Sequence, residues 1–218
     1  MKTVALVPIK LNSQRIPHKN LKNLSGHPLC WFVPNTLSKV KGIDEVYVYC
    51  SDEKVQDYIP HNVKFLKRSS ELDKDSVKGF DIYSSFIREI DADIYVLAHT
   101  TSPFTRVETI EDALSHVLNG ENDSSFSARR VQTFCWYDGK PINYDLNDVP
   151  RTQDMKPIFV ETSGFFIFKK EIFTEYHRRI GFKPYIKEVD EVESVDIDEP
   201  KDFEFAELIA KSLKKEEK

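Results

Sequence analysis

The segment Thr3-Val4-Ala5-Leu6-Val7-Pro8-Ile9-Lys10-Leu11-Asn12-Ser13-Gln14-Arg15-Ile16-Pro17-His18-Lys19-Asn20 decides how the rest of the chain is read. Its first part is a short apolar run ending at Ile9, read here as the first core strand. The run lacks the length and the small-residue cleavage signal of a secretory leader. The connection that follows, Lys10 to Leu21, contains no glycine, so it is not a glycine-rich phosphate loop. It does hold Lys10, Arg15 and Lys19 close together. Three cations at the carboxyl end of a strand suit a polyphosphate, because open α/β sheets bind ligands there. A merely solvated basic loop is the competing reading, since surface lysines and arginines are common.

Outward from this segment, short β-branched or aromatic runs alternate with helical patterns. Val4 to Ile9, Glu45 to Cys50, Val63 to Leu66 and Asp93 to His99 read as strands. Leu29 to Val40, Ser76 to Ile90 and Val107 to Leu118 read as helices, with Pro34 expected to delay or kink the first. The alternation predicts an α/β fold with a mainly parallel sheet covered by helices. A last helix opens at Pro200, where Phe203, Ala206, Ile209, Ala210 and Leu213 recur at helical spacing. From about 129 to 159 the pattern fails around two turns, Asp138-Gly139-Lys140-Pro141 and Asn147-Asp148-Val149-Pro150. This region is expected to be an inserted hairpin or loop, a lid or a subunit contact within a single domain spanning 1–218. The Lys-Lys-Glu-Glu-Lys tail is expected to fray.

Composition narrows the function classes. At 218 residues the chain fits one elaborated domain, and 40% hydrophobic with 31% charged residues excludes disordered and membrane-embedded classes. The net charge of -5 leaves no overall positive field for nucleic acid or an anionic membrane, so any phosphate site must be local. No apolar stretch approaches the ~20 residues that span a bilayer. Cys30, Cys50 and Cys135 are widely spaced and form no CxxC pair, which points to reduced thiols and a cytoplasmic location.

Two further constellations carry chemistry. In Ser194-Val195-Asp196-Ile197-Asp198-Glu199-Pro200, Asp196 and Asp198 would share one face of an extended strand and could hold a hard divalent cation. Capping of the last helix is the alternative; it accounts for Asp198 but not for Asp196. In Leu97-Ala98-His99-Thr100-Thr101-Ser102-Pro103 a strand ends in hydroxyls ahead of a helix, a setting suited to anionic or sugar ligands and equally to an ordinary helix start. His99 reads equally as a packed, hydrogen-bonded residue or as a substrate contact.

Taken together and in this order, the segments resemble the CMP-sugar synthetases, the acylneuraminate and Kdo cytidylyltransferases. That family's first strand leads into a basic loop with an Ala-Arg start, a serine and a Pro-x-Lys ending; here the loop reads Ile9-Lys10, Ser13 and Pro17-His18-Lys19-Asn20. Arg15 falls where Kdo-type members carry arginine, whereas Lys19-Asn20-Leu21 looks like the acylneuraminate type. Arg68 followed by Glu71-Leu72 and Asp75 resembles the family's Arg-Pro-x-Glu-Leu-x-x-Asp stretch, with a solvated surface arginine as the plainer reading of Arg68. Thr101-Ser102-Pro103 resembles the Gln-Pro-Thr-Ser-Pro motif, with His99 in the glutamine position. Ser163-Gly164 stands where Asn-Gly is usual, and Lys10 where the family has arginine.

The resemblance implies a three-layer α/β/α fold with a mainly parallel, mixed sheet of the nucleotide-diphospho-sugar transferase kind. It implies that CMP passes from CTP to an acidic, sialic-acid-like or Kdo-like sugar with release of pyrophosphate. Lys10, Arg15 and Lys19 would serve catalysis; Lys10, Ser13, Lys19, Asn20, Arg68 and Asp75 would bind the nucleotide. His99, Thr101, Ser102 and Ser163 would face the sugar, and Asp196 and Asp198 would hold Mg2+. Homodimers are common in the family, and 129–159 is the segment expected to form the contact. Two other readings remain at this point, a non-catalytic nucleotide-binding homologue and a metal-dependent nucleotide-sugar glycosyltransferase.

Overall fold

A computed structural model describes residues 1–216. In chain order the elements are β1 (Thr3–Pro8), β2 (Asn23–Leu24), β3 (His27–Pro28), α1 (Leu29–Leu37), β4 (Glu45–Cys50), β5 (Lys64–Lys67), α2 (Gly79–Glu89), β6 (Ile94–Ala98), α3 (Val107–Leu118), β7 (Ser124–Val131), β8 (Trp136–Tyr137), β9 (Lys140–Pro141), β10 (Ile158–Lys169), α4 (Lys170–Tyr176), β11 (Pro184–Val189) and α5 (Pro200–Glu216). Seven strands form one sheet in the order β11-β7-β10-β6-β1-β4-β5. β1 pairs in parallel with β4 and with β6, and β10 is antiparallel to both its neighbours, so the sheet is mixed but mainly parallel.

Two-residue periodicity divides the core. Ala5 and Val7 of β1, Ile94, Val96 and Ala98 of β6, and Phe165 and Ile167 of β10 pack with α1 and α3 on one face. Val4 and Leu6, Tyr95 and Leu97, and Phe166 and Phe168 pack with α2 and α4 on the other. Strands buried on both faces carry apolar residues at every position, which explains the unbroken runs in the sequence. A third cluster joins Ile16 of the first connection and Leu24 of β2 to Val195, Ile197, Phe203 and Ala206, so the start and the end of the chain are packed against each other.

Several expectations need correction. Pro34 lies inside α1, whose start at Leu29 is not delayed. Ladder pairing continues through Val131, so the excursion expected from residue 129 begins after β7; it holds the small β8–β9 hairpin and returns at Ile158. Several of its apolar side chains are open to solvent, with Trp136 55% and Tyr137 76% exposed, while Met155 is buried. The tail expected to fray is helical through Glu216, and its last two residues lie outside the described residues. Cys30 and Cys50 are buried free thiols, and burial pushes the Cys30 thiol up to about 12, which keeps it protonated and unreactive. No described helix is long and apolar enough to cross a membrane.

Candidate active site

The carboxyl ends of β1 and β6, with β10 beside them, open into a cleft of about 440 Å³. The first connection is held rigidly against this opening. Asn20 is its keystone: its Nδ2 donates to the Lys10 carbonyl at 2.8 Å, and its Oδ1 accepts from Thr100 Oγ1 at 2.7 Å. One side chain thus ties the loop after β1 to the loop after β6. Lys19, only 9% exposed, is no solvated surface cation. Its Nζ donates to the Ile197 carbonyl at 2.7 Å and lies 3.5 Å from Asp198 Oδ1. Lys10 faces the cleft from the same loop and pairs with Asp75 at 3.2 Å.

The acidic pair lies in irregular extended backbone and not in a strand. Alternation nevertheless survives, because Val195 and Ile197 enter the core while Asp196 and Asp198 line the cleft. Asp198 is no helix cap: its carboxylate accepts from Arg15 Nη2 at 2.9 Å, and the backbone N–H groups of Asp198 and Glu199 donate instead to Asp202 Oδ2. The two carboxylates lift the Arg15 guanidinium above its usual range, Asp198 chiefly and then Glu199. Asp196 Oδ2 accepts from Ser163 Oγ at 2.9 Å, while its Oδ1 is buried without a partner.

An orphaned, buried carboxylate oxygen is costly unless something positive meets it. Mg2+ takes oxygen ligands and commonly keeps water and substrate phosphates, so a carboxylate pair is enough from the protein. The donor set fits that ion. Among the described residues no group of three or more His, Cys, Asp or Glu gathers in metal-binding fashion.

His99 lies in the wall of the cleft. Its Nδ1 stands 3.0 Å from the Ser163 carbonyl, which can only accept, so Nδ1 carries the proton. Nε2 then accepts from the Tyr83 hydroxyl at 3.1 Å. Burial lowers the His99 pKa and outweighs the opposing bond to Ser163, so the ring is neutral at neutral pH. His99 is therefore a packed, hydrogen-bonded residue that also borders the site. Gly164 follows because the strand is crowded there: a Cβ would meet Ser127 Oγ at 2.9 Å and Thr105 Oγ1 at 3.3 Å.

Of the residues singled out in the sequence, Lys10, Ser13, Lys19, Asn20, His99, Thr101, Ser163, Asp196 and Asp198 line the one cleft. Arg15 reaches its acidic pair without lining it. Three others stand apart. Arg68 is 3% exposed, donating from Nη1 to the Tyr49 carbonyl at 2.8 Å and from Nη2 to Asp73, so it is neither solvated nor in the cleft. Ser102 is 1% exposed and turned into the protein. Asp75 is exposed and reaches the site only through Lys10 and Gln14. The sequence reading missed Arg179, Asn12 and Thr100, which also line the cleft. Thr100 could have been found as a neighbour of Thr101, whereas Arg179 sits in an irregular loop with no spacing signal.

This fold is shared with nucleotidyltransferases of known structure. CMP:2-keto-3-deoxy-manno-octonic acid synthetase, solved in complex with CTP, superposes with a TM-score of 0.75 at 17% identity, covering 97% of this chain and 99% of that one. The chain belongs to the cytidylyltransferase family, whose model matches residues 4–218. It is 29% identical over 213 residues to N-acylneuraminate cytidylyltransferase A of Danio rerio, covering 93% of this chain and 49% of that protein. With the 3-deoxy-manno-octulosonate cytidylyltransferase of Escherichia coli it shares 22% identity over 194 residues, covering 80% and 75%. The chain spans about half the length of the acylneuraminate relatives it matches.

Proposed function

We propose that this protein transfers CMP from CTP to an acidic keto-sugar and releases pyrophosphate. The observation that carries the reading is the convergence of Lys10, Lys19, Asp196 and Asp198 on one cleft at the carboxyl end of β1. Membership of the cytidylyltransferase family and the activities of its relatives support CTP and an acidic sugar as substrates. The anomeric hydroxyl attacks the α-phosphorus in line and loses its proton to solvent; a new oxygen–phosphorus bond forms, and the bond from the α-phosphorus to the α,β-bridging oxygen breaks, its electron pair leaving with pyrophosphate.

Lys10 and Lys19 neutralise the charge that grows on the phosphates, and Asn20 holds their loop in place before substrate arrives. Asp196 and Asp198 would hold Mg2+, which supplies Lewis-acid charge neutralisation at the phosphates when bound. Ser163 orients Asp196 through its hydroxyl. A homodimer meeting through the exposed apolar side chains of residues 132–157, and a cytoplasmic setting for CTP-dependent synthesis, complete the reading.

The test is pyrophosphate release from CTP with a panel of acidic keto-sugars, read beside mass spectrometry of the CMP adducts. Wild type should form an adduct with at least one sugar. Asp198→Asn should lower its rate on the order of a hundredfold or more. An unchanged mutant would remove the metal role, and calorimetric CTP binding without turnover on any sugar would overturn the enzymatic reading.

A further inference from the structure

The cleft has two walls with different electrostatic histories. On the β1 side, Lys10 and Lys19 are engaged with Asp75, the Ile197 carbonyl and Asp198, and they face the acidic pair. On the β10 side stands Arg179. Its guanidinium lies over the ring of Phe166, 3.7 Å from the ring centre. Stacking fixes the plane of the guanidinium while its N–H edges point outward to donate, Nη2 towards Glu161 at 3.5 Å. Its one ion pair is to Glu161 at 3.5 Å, and Glu161 is half exposed, so the pair is long and screened. Lys10 and Lys19 each hold an acceptor at 3.2 Å or less, whereas Arg179 holds Glu161 at 3.5 Å.

The loop that carries Arg179 is clamped. His177 ends α4 in the left-handed region with φ of 52°. Gly181 N donates to Ser124 Oγ at 2.8 Å, and the N–H groups of Phe182 and Lys183 donate to Asp123 Oδ2 at 2.7 and 3.0 Å. A Cβ at position 181 would overlap the Asp123 carboxylate, so only glycine lets the loop come this close. The cation is held in place before any ligand arrives, which spares binding the entropy of ordering it.

β6 separates β1 from β10, so the loop after β1 and the Arg179 guanidinium over Phe166 of β10 lie to either side of β6. A polyphosphate gathered by the loop after β1 leaves Arg179, beside Ser163 and His99, to the other part of the cleft. The ring nitrogens of His99 between them are already engaged with Ser163 and Tyr83. We infer that Arg179 binds the carboxylate of the acceptor sugar through its planar fork and so sets the requirement for an acidic substrate. The inference rests on the cytidylyltransferase reading above. A guanidinium's parallel donors match a carboxylate bidentately once the long contact to Glu161 gives way, where a lysine offers only a point charge.

The experiment measures kcat and KM for the best acidic keto-sugar and for its analogue with a primary amide in place of the carboxylate, together with calorimetric CTP affinity. Three proteins are compared: wild type, Arg179→Gln and Arg179→Lys. Arg179→Gln should raise KM for the acid on the order of a hundredfold, the loss of one charged bidentate contact, while kcat and CTP affinity stay within a few-fold. Arg179→Lys should fall between the two. Wild type should prefer the acid to the amide, and Arg179→Gln should lose the preference. A preserved preference in a glutamine variant that still binds CTP overturns the assignment and leaves the cytidylyltransferase reading standing. Loss of CTP binding in both variants would show a structural role and overturn it as well. Failure of wild type to make any CMP adduct overturns the underlying reading, and this inference falls with it.

Discussion

Arg15 Nη2 donates to Asp198 Oδ1 at 2.9 Å, joining residues 183 positions apart across the mouth of the cleft. The pair is exposed, and Arg15 also reaches Glu199 at 3.3 Å. Exposed pairs of this kind contribute little to folding, so the contact matters through the site. On the proposed reading a cation at Asp198 would compete with Arg15, and the released guanidinium would turn to phosphate. Arg15→Ala should leave the melting temperature nearly unchanged and lower kcat/KM for CTP on the order of tenfold or more. Parallel melting curves and initial rates check both halves, and a large drop in melting temperature would contradict this account.

Lys10, in the position where the resemblance to the CMP-sugar synthetases places an arginine, lies 3.2 Å from Asp75 on the rim of the cleft. Lysine offers a compact charge; arginine offers a fork that matches phosphate oxygens. Lys10→Arg should tighten CTP binding by several-fold to tenfold, measured by calorimetry. The same substitution in an Asp75→Asn background should gain more, because the competing carboxylate is gone. Weaker CTP binding in both would show that the loop has adapted to the shorter reach of lysine.

How much of this was readable in the sequence varies with the physics of each part. β4 and α3 have the limits expected from their patterns, because an aromatic and β-branched run and a clean helical period leave little choice. β10 was not seen: Phe165-Phe166-Ile167-Phe168 is buried on both faces and shows no alternation. β7 was hidden by Ser124, Ser125 and Ser127, polar residues that are fully or almost fully buried. Within the site, the basic loop and the aspartates were visible because their chemistry is written in consecutive residues. Arg179 was not, because its role depends on Phe166 and on a loop clamped by Asp123, contacts that no local pattern encodes. Arg68 looked like a ligand contact because an arginine in a motif reads the same whether it meets substrate or, as here, Tyr49 and Asp73.

Gly164 tests how tightly β10 is packed beside the cleft. Ser127 Oγ, which a new Cβ would meet at 2.9 Å, already accepts from Thr162 Oγ1 at 2.7 Å and from Phe165 N at 3.1 Å. It cannot retreat without breaking a bond in a buried setting. Gly164→Ala should therefore destabilise the protein by about 1–3 kcal/mol, in the range of overpacked cores, as measured by urea denaturation. Gly139→Ala has open space around its Cβ but a φ of 73°, so it should show only the backbone penalty, about 1 kcal/mol. A loss at Gly164 smaller than that at Gly139 would mean that Ser127 and Thr105 give way to the new Cβ and that the strand is not crowded there.

His99 gives the pH dependence a sign. Burial depresses its folded-state pKa below the ordinary histidine value, so the folded protein binds this proton less readily than the unfolded chain. The stabilising contribution is complete above the unfolded pKa of about 6.5 and is lost as pH falls through the folded pKa. Wild type should thus melt at lower temperature as the pH is taken from 7.5 towards 5, with part of the drop traceable to this ring. Protonation would also put a hydrogen on Nε2, where the Tyr83 hydroxyl now donates, forcing that hydroxyl to turn and accept. His99→Gln removes the titrating group while keeping a polar side chain, so its melting temperature should fall less over the same interval. Differential scanning calorimetry at both pH values gives the comparison, and parallel curves for the two proteins would show that His99 is not the group responsible.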